Sequence, residues 1–414
     1  MPLIGEMDLP YLDIHDPAFP GDPFTYINAA RRQHPWLARI DVGYFVFGYQ
    51  AVKDLAGMDD HLVPDFGTVV EELGLSDTPW ADFQRNVLTA MTGEKHWRVR
   101  MSTGDTFLPR NMKRHIGLIR EQAAAMLDEW APIGAFDFVE FAATYPVSVM
   151  CRLVGASTDE MPKLRAAFEA QSRVGSRNPD LIPTLLAGFD LMWDFADRLV
   201  RERETNPTAE PNMLDEFIAA KNAGTIDEKE LRYLIMTLFP AGYDTSKNAL
   251  ALIMHFMIDR PEAWRRCAED LDYCRRVTEE AFRYHSTVTQ KRRVARAFDY
   301  DGIHIPVGTF LAFGTSTAGR DPTAFENADV FDPDLPRDNR NFAFGRGVHM
   351  CLGQHLARAE ITEAIHLMAQ RITNPRRTGP IAWRQFLGIG GLETLPIAFD
   401  PAPARTLISG EAHA

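Results

Sequence analysis

Along most of this chain apolar residues recur at three- and four-residue steps, the spacing of a helix with one buried face. From 116 to 130 the run IGLIREQAAAMLDEW sets its charges opposite its apolar stripe, and 185–203, 231–258 and 354–372 repeat the pattern. Period-two alternation is scarce. The run GYFVFG at 43–48, and 293–300 followed by Asp301-Gly302 and 303–305, predict small hairpins. The stretch IHIPVGTFLAF reads as strand punctuated by Pro306 and Gly308. Residues 206–212 and 333–341 are loops without the character of a linker, and no repeat is visible. The pattern predicts a mainly α protein, one large helical domain over residues 1–414 with a small sheet portion.

Composition narrows the function classes. With 45% hydrophobic and 24% charged residues the chain is an ordinary folded protein rather than a disordered or collagenous one. Its net charge of −13 argues against nucleic acid or an anionic membrane surface as partner. Cys151, Cys267, Cys274 and Cys351 are too few and too scattered for a disulfide scaffold, which suits a reducing compartment. The first residues carry five acids and no apolar stretch, so neither a signal peptide nor a membrane anchor is expected. The best apolar runs, near 234–239 and 249–258, are separated by Asp244 and Lys247 and fall short of a span. A cytoplasmic protein is the expectation.

The strongest local chemistry stands at 344–353, FGRGVHMCLG, immediately before an amphipathic helix. A cysteine there meets unsatisfied backbone N–H groups and the positive end of the helix dipole, so its thiolate is stabilised. Glycines on both sides let the backbone approach something flat, or donate N–H groups to sulfur. A thiolate so placed is a nucleophile or a metal ligand; the alternative is one more buried cysteine.

This run resembles the haem-ligand signature of the cytochrome P450 family, Phe-x-x-Gly-x-x-x-Cys-x-Gly, matched by Phe344, Gly347, Cys351 and Gly353. Other family motifs follow in order. Glu280 and Arg283 match the Glu-x-x-Arg ion pair, whose third partner would be Arg337 or Arg340. Ala241-Gly242-Tyr243-Asp244-Thr245 looks like the oxygen-activating acid and alcohol pair of the central helix. Two plainer readings compete there: Thr245 bonding back to a carbonyl, and Asp244 on an exposed face. Pro240 departs from the common pattern by removing the N–H that would bond the Met236 carbonyl, either widening the groove or setting a different bend. His96 and Arg100, four apart on one helix face, match the family's propionate-binding His-x-x-x-Arg. Arg292, with Arg293 as the fallback, and His349 complete that set. Residues 91–95 replace the usual Asp-Pro-Pro. The resemblance covers nearly the whole chain, through Asp22-Pro23-Phe24, Phe107-Leu108-Pro109, Arg320-Asp321-Pro322 and Phe331-Asp332-Pro333.

The resemblance implies the P450 fold and a non-covalently held haem b with Cys351 as thiolate ligand, since no Cys-x-x-Cys-His is present. Phe344, Gly353 and Ala241 would line the haem. It implies insertion of one atom of O2 into a lipophilic small molecule, with Asp244 and Thr245 delivering protons. Electrons would come from a [2Fe-2S] ferredoxin with an NAD(P)H-dependent reductase, a flavodoxin being the runner-up. The implied substrate pocket is Val87, Leu88, Thr237, Ala241, Val288 and Ile389, an apolar set. A cationic partner for Asp244 is expected in Arg173 or Arg177. The alternatives are the same fold working without oxygenation, by rearrangement or as a ligand carrier, and a haem-free binding protein. Against its acidic whole the chain concentrates positive charge. Residues 95–114 hold six cations against Asp105 alone, and 283–296 hold five with no acid. Arg98, Arg110, Lys113, Arg114 and Arg346 would fringe the cysteine side and receive an acidic ferredoxin.

Overall fold

The computed structural model describes residues 1–337 and 340–403. Within them the periodicity reading holds closely. Helices occupy Ile116–Trp130, Ile182–Thr205, Glu228–Ile258 and Gln354–Arg371. The first copies its predicted bounds, and the others shift by at most three residues. At the start of Glu228–Ile258, the Asp227 side chain accepts from the Lys229 and Glu230 N–H groups, and Glu230 reaches back to the Asp227 N–H. That capping box adds a turn that periodicity alone does not mark.

The Glu228–Ile258 helix, 31 residues long, runs through the centre of the molecule and packs along Phe138–Val154, with Met161–Ser172 and Ile182–Thr205 across it. Pro240 lies inside it and the helix continues on both sides. Most of its residues are buried all round. One stripe departs from this: Leu234, Thr237, Leu238, Ala241, Gly242 and Thr245 are half-buried or exposed. Their three- and four-residue steps place them on one face. A central helix with one open face borders an internal cleft.

Five strands form the main sheet: β1 (Leu37–Ile40), β2 (Gly43–Val46), β3 (Leu62–Pro64), β4 (Thr289–Val294) and β5 (Phe310–Gly314). Their order is β1-β2-β5-β4-β3, with only β2 and β5 parallel. The strand expected over 293–300 is two pieces. β4 starts at Thr289 and ends at Val294, where the Ala295 and Arg296 N–H groups turn to the His61 carbonyl. Phe298–Tyr300 then pairs with Ile303–Ile305 across Asp301 and Gly302, both at positive φ, as a two-residue hairpin requires. The loop at 206–212 contains no helix or strand, and the second expected loop, 333–341, lies partly outside the described residues at 338–339.

No described helix is long and apolar enough to cross a membrane. All four cysteines are free.

Candidate functional site

Cys351 is the exposed member of the four cysteines. Its loop is held by its own neighbours: the Cys351 N–H donates to the Phe344 carbonyl at 2.8 Å, and the Phe344 ring packs edge-on against Phe282 at 4.9 Å. The Arg358 guanidinium lies over that ring at 4.2 Å while pairing with Glu279 at 2.5 Å. Gly345 and Gly347 both take positive φ, and a Cβ would run into Gln290 Nε2 at the first and Asp59 Oδ2 at the second. Only glycine fits these two bends. Gly353 differs, because the place of its Cβ meets nothing within 4 Å. Burial pushes the Cys351 thiol up, while the Gly353 N–H and the guanidinium groups of Arg100 and Arg358 pull it down.

Around the thiol stands a group of nitrogen bases with little acid to answer them. His96 lies on the helix Gly93–Gly104, and its ring is 4.3 Å from that of His349. Arg100, one turn on, donates to the Met350 carbonyl at 2.6 Å. Arg292, buried within β4, donates to the carbonyl of its neighbour Lys291 at 3.0 Å. Burial, then Arg292, His96 and Arg100, holds His349 down at about 3; burial and Arg100 also lower His96. Asp59 is the acid acting on both His96 and Arg292. His96 Nε2 is buried and without a hydrogen-bond partner. Such a cluster suits a dianionic ligand beside the thiol. Arg293, the fallback, turns the other way and pairs with Asp65 at 2.8 Å.

The expected ion-pair support is present. Arg283 meets Glu280 through two bonds of 2.7 Å, both residues being buried, and donates to the carbonyls of Gly319, Ala328 and Val330. Arg337 is the third partner, at 2.8 Å from Glu280. Arg340 is exposed, and its carbonyl accepts from Tyr49.

In the central helix Asp244 is fully buried, which removes the exposed-face reading. Thr245 Oγ1 does donate back to the Ala241 carbonyl, at 2.8 Å, while its residue stays on the open stripe. The expected partner of Asp244 is corrected. Arg173 pairs with Glu393, and Arg177 with Asp65 and Glu72. Glu393, Asp65 and Glu72 hold these two guanidinium groups, so neither reaches Asp244. Asp244 Oδ1 instead takes Arg384 Nη1 at 2.6 Å, Lys247 Nζ at 3.1 Å and Asn248 Nδ2 at 3.2 Å, and Oδ2 has no partner. Lys247 was legible as a second charge one turn along an apolar helix. Arg384 had no local signal, because the segment carrying it arrives from 140 residues away.

That segment, 382–394, does two things at once. Leu392 N–H donates to Asn248 Oδ1 at 3.2 Å, seating the hairpin on the central helix, and Ile389 bridges to Val288. The structure thus joins two of the expected pocket residues directly. Val87 is buried and Leu88 half-buried at the end of the helix Pro79–Asn86, which packs on the central helix, and Thr237 and Ala241 lie on the open stripe.

One helical body thus carries a glycine-flanked thiol, a basic cluster beside it, and an acid and an alcohol on its central helix. The Cytochrome P450 family profile matches residues 184–373. The luteothin monooxygenase of Streptomyces thioluteus is 32% identical over 400 residues, covering 95% of this chain and 97% of that protein. The polyketide biosynthesis cytochrome P450 PksS of Bacillus subtilis (strain 168) is 25% identical, covering 93% and 98%. Among solved structures, CalO2 superposes with a TM-score of 0.86 at 19% identity over 95% of this chain and all of its own. The chain belongs to the cytochrome P450 family, and it is a monooxygenase-class enzyme of that family.

Proposed function

We propose that this enzyme inserts one atom of O2 into a lipophilic small molecule, on a haem b held by Cys351, with electrons from an external [2Fe-2S] ferredoxin and its NAD(P)H-dependent reductase. The observation that carries the reading is the basic cluster around an exposed thiol: His96, Arg100, Arg292 and His349 answer the two propionates, and His96 Nε2 has a bond to give. Phe344, Gly353 and Ala241 would border the macrocycle: the place of a Gly353 Cβ meets nothing within 4 Å, and Ala241 is exposed on the open stripe of the central helix.

When bound, a thiolate-ligated haem supplies the electron density that favours O–O cleavage. The chain's own residues do the rest. Asp244 holds a carboxylate against Arg384 and Lys247, and its partnerless Oδ2 is the atom that accepts and passes a proton. Thr245 presents its hydroxyl oxygen toward the cleft while its proton is engaged by Ala241, so it receives a hydrogen bond from oxygen or water there. Val87, Leu88, Thr237, Ala241, Val288 and Ile389 keep water out and hold the substrate by apolar contact. The names of the two relatives, a luteothin monooxygenase and a polyketide biosynthesis cytochrome P450, favour an oxygenated natural product over a simple hydrocarbon.

Ferredoxin docking is supported on the Cys351 side, where Arg346, Val348 and Met350 are exposed beside Trp97 and Met101. The expected charge there is partly offset. Arg98 is clasped by Glu230 and Arg114 by Glu216, while Lys113 and Arg346 have no ion pair among the described residues. The test is isotopic: with a ferredoxin, its reductase and 18O2, a turned-over compound gains one labelled oxygen. Product labelled from water instead refutes oxygen insertion.

A further inference from the structure

The three polar neighbours of Asp244 differ in what they can do. Arg384 Nη1 lies at 2.6 Å from its Oδ1, Lys247 Nζ at 3.1 Å and Asn248 Nδ2 at 3.2 Å. An amide does not titrate, and a guanidinium does not give up its proton inside a protein. Among the described residues Lys247 is thus the one group in contact with Asp244 that can hand it a proton. Arg384 is a clamp, steadied from behind by Glu393 at 3.7 Å.

Lys247 has a second acid. Its side chain is 4% exposed, and its Nζ stands 3.8 Å from Glu169 Oε1 and 5.0 Å over the Tyr243 ring. Glu169 comes from a different helix, Met161–Ser172, and its side chain is 27% exposed. Its Oε1 accepts from the Tyr243 hydroxyl at 2.7 Å and from Arg165 Nε at 3.1 Å, and Arg165 in turn clasps Glu140 at the surface. Asp244 already has the closer Arg384, and Glu169 the closer Arg165, so neither acid depends on Lys247 for a counter-charge. What Lys247 adds is a link. Asp244, Lys247 and Glu169 stand in file from a fully buried carboxylate to one that water reaches. The inner step is a bond and the outer step is too long for one, so the ammonium must lean from one acid to the other, as a flexible four-carbon stem allows.

We infer that Lys247 carries protons from Glu169 to Asp244, with Glu169 as the port to water. This rests on the proposed role of Asp244 and extends it outward. An N–H bond of the Lys247 ammonium breaks and an O–H bond forms on Asp244. The neutral amine then takes the proton that Glu169 has drawn from water. One proton moves inward, and each group regains its charge once Asp244 passes its proton on. Neither residue touches the reacting atoms, and both act through Asp244.

The first test needs no turnover. In the holoprotein labelled with 15N-lysine and held in its reduced carbon monoxide form, the Lys247 ammonium is the NMR signal lost in Lys247→Arg. Its exchange with water should slow at least about tenfold in Glu169→Gln, the loss of a positioned proton donor. A merely structural Glu169 predicts the opposite sign, since its loss would open the site to water. Unchanged or faster exchange overturns the inference. The second test is turnover of 2-ethylnaphthalene with ferredoxin, reductase and NADH. Lys247→Arg keeps the charge but cannot carry, so NADH oxidation should fall about tenfold with a larger solvent isotope effect. Wild-type rate and isotope effect in Lys247→Arg overturn the inference. If that compound draws no NADH oxidation, or Lys247→Arg loses the thiolate band, the exchange measurement in Glu169→Gln decides alone. Asp244→Asn separates the failures: wild-type turnover there defeats the proposed role of Asp244 and the port with it, whereas slow turnover there beside a wild-type Lys247→Arg defeats only the port.

Discussion

The Cys351 loop and Asp244 differ in how densely they are tied. Cys351 is held by its own ten-residue run, by the helix Leu271–Tyr284, which supplies Phe282, Glu279 and the Glu280–Arg283 pair, and by two long-range bonds, Arg100 to the Met350 carbonyl and the Val348 N–H to Asp59. Asp244 sits on a helix that gives it Lys247 and Asn248, but its closest cation comes from a hairpin far along the chain. A group that binds a fixed ligand profits from a cradle tied at many points, whereas Asp244 keeps one oxygen, Oδ2, without a partner.

The comparison breaks first at the supporting helix. Arg283→Ala leaves buried Glu280 with Arg337 alone as counter-charge and the Gly319 and Ala328 carbonyls without a donor, so a loss of about 3–5 kcal/mol is expected in urea unfolding, with failure to retain haem. Arg384→Leu should be milder, about 1–3 kcal/mol, because Lys247 remains as counter-charge. Its distinguishing effect is on coupling: more peroxide per NADH, with haem content unchanged. Equal haem loss in both variants would erase the distinction between the two regions.

These two regions also differ in what the sequence makes visible. The cysteine run is legible because its glycines, its spacing and the helix start after it are local, and the same holds for Glu280 with Arg283 and for His96 with Arg100. The central helix was legible as periodicity, and its open stripe follows from that period. Arg384 was not, because nothing in residues 382–394 signals that Asn248 will seat them on the central helix. Arg173 looked eligible by charge and position. It reaches Asp244 only at one remove, through Glu393, which lies 3.7 Å from Arg384. The cationic stretch at 95–114 was overread, since Glu216 and Glu230 approach it from distant helices.

Smaller effects sharpen the contrast. Thr245→Ala removes one back-bond on the open stripe and should change stability by less than about 0.5 kcal/mol, with haem bound normally. Oxygen use should nevertheless uncouple into peroxide severalfold, and full coupling measured as product per NADH would remove Thr245 from proton delivery.

The Arg384 hairpin should be acid-sensitive, as is His349 beside the thiol. Trp383 beside it stacks on His285 at 5.9 Å and meets His255 edge-on at 5.5 Å. Burial holds both imidazoles down, His285 to about 3 and His255 to about 4. Folded-state values below the ordinary 6.5 mean that the unfolded chain takes up these protons first. Their contribution is complete above about pH 6.5 and is lost as pH falls toward 4. His285→Phe should flatten the stability slope between pH 6.5 and 5 by up to one proton, about 1.4 kcal/mol per pH unit. An unchanged slope would mean His285 is not the group that titrates.

The most direct test of the whole account is the carbon monoxide spectrum of the reduced protein, taken for the wild type and for Cys351→His. The account predicts a strongly red-shifted Soret band in the wild type, the mark of a thiolate ligand, and its displacement in the variant with haem still bound. A wild-type spectrum without that band, or one that Cys351→His leaves in place, would contradict it.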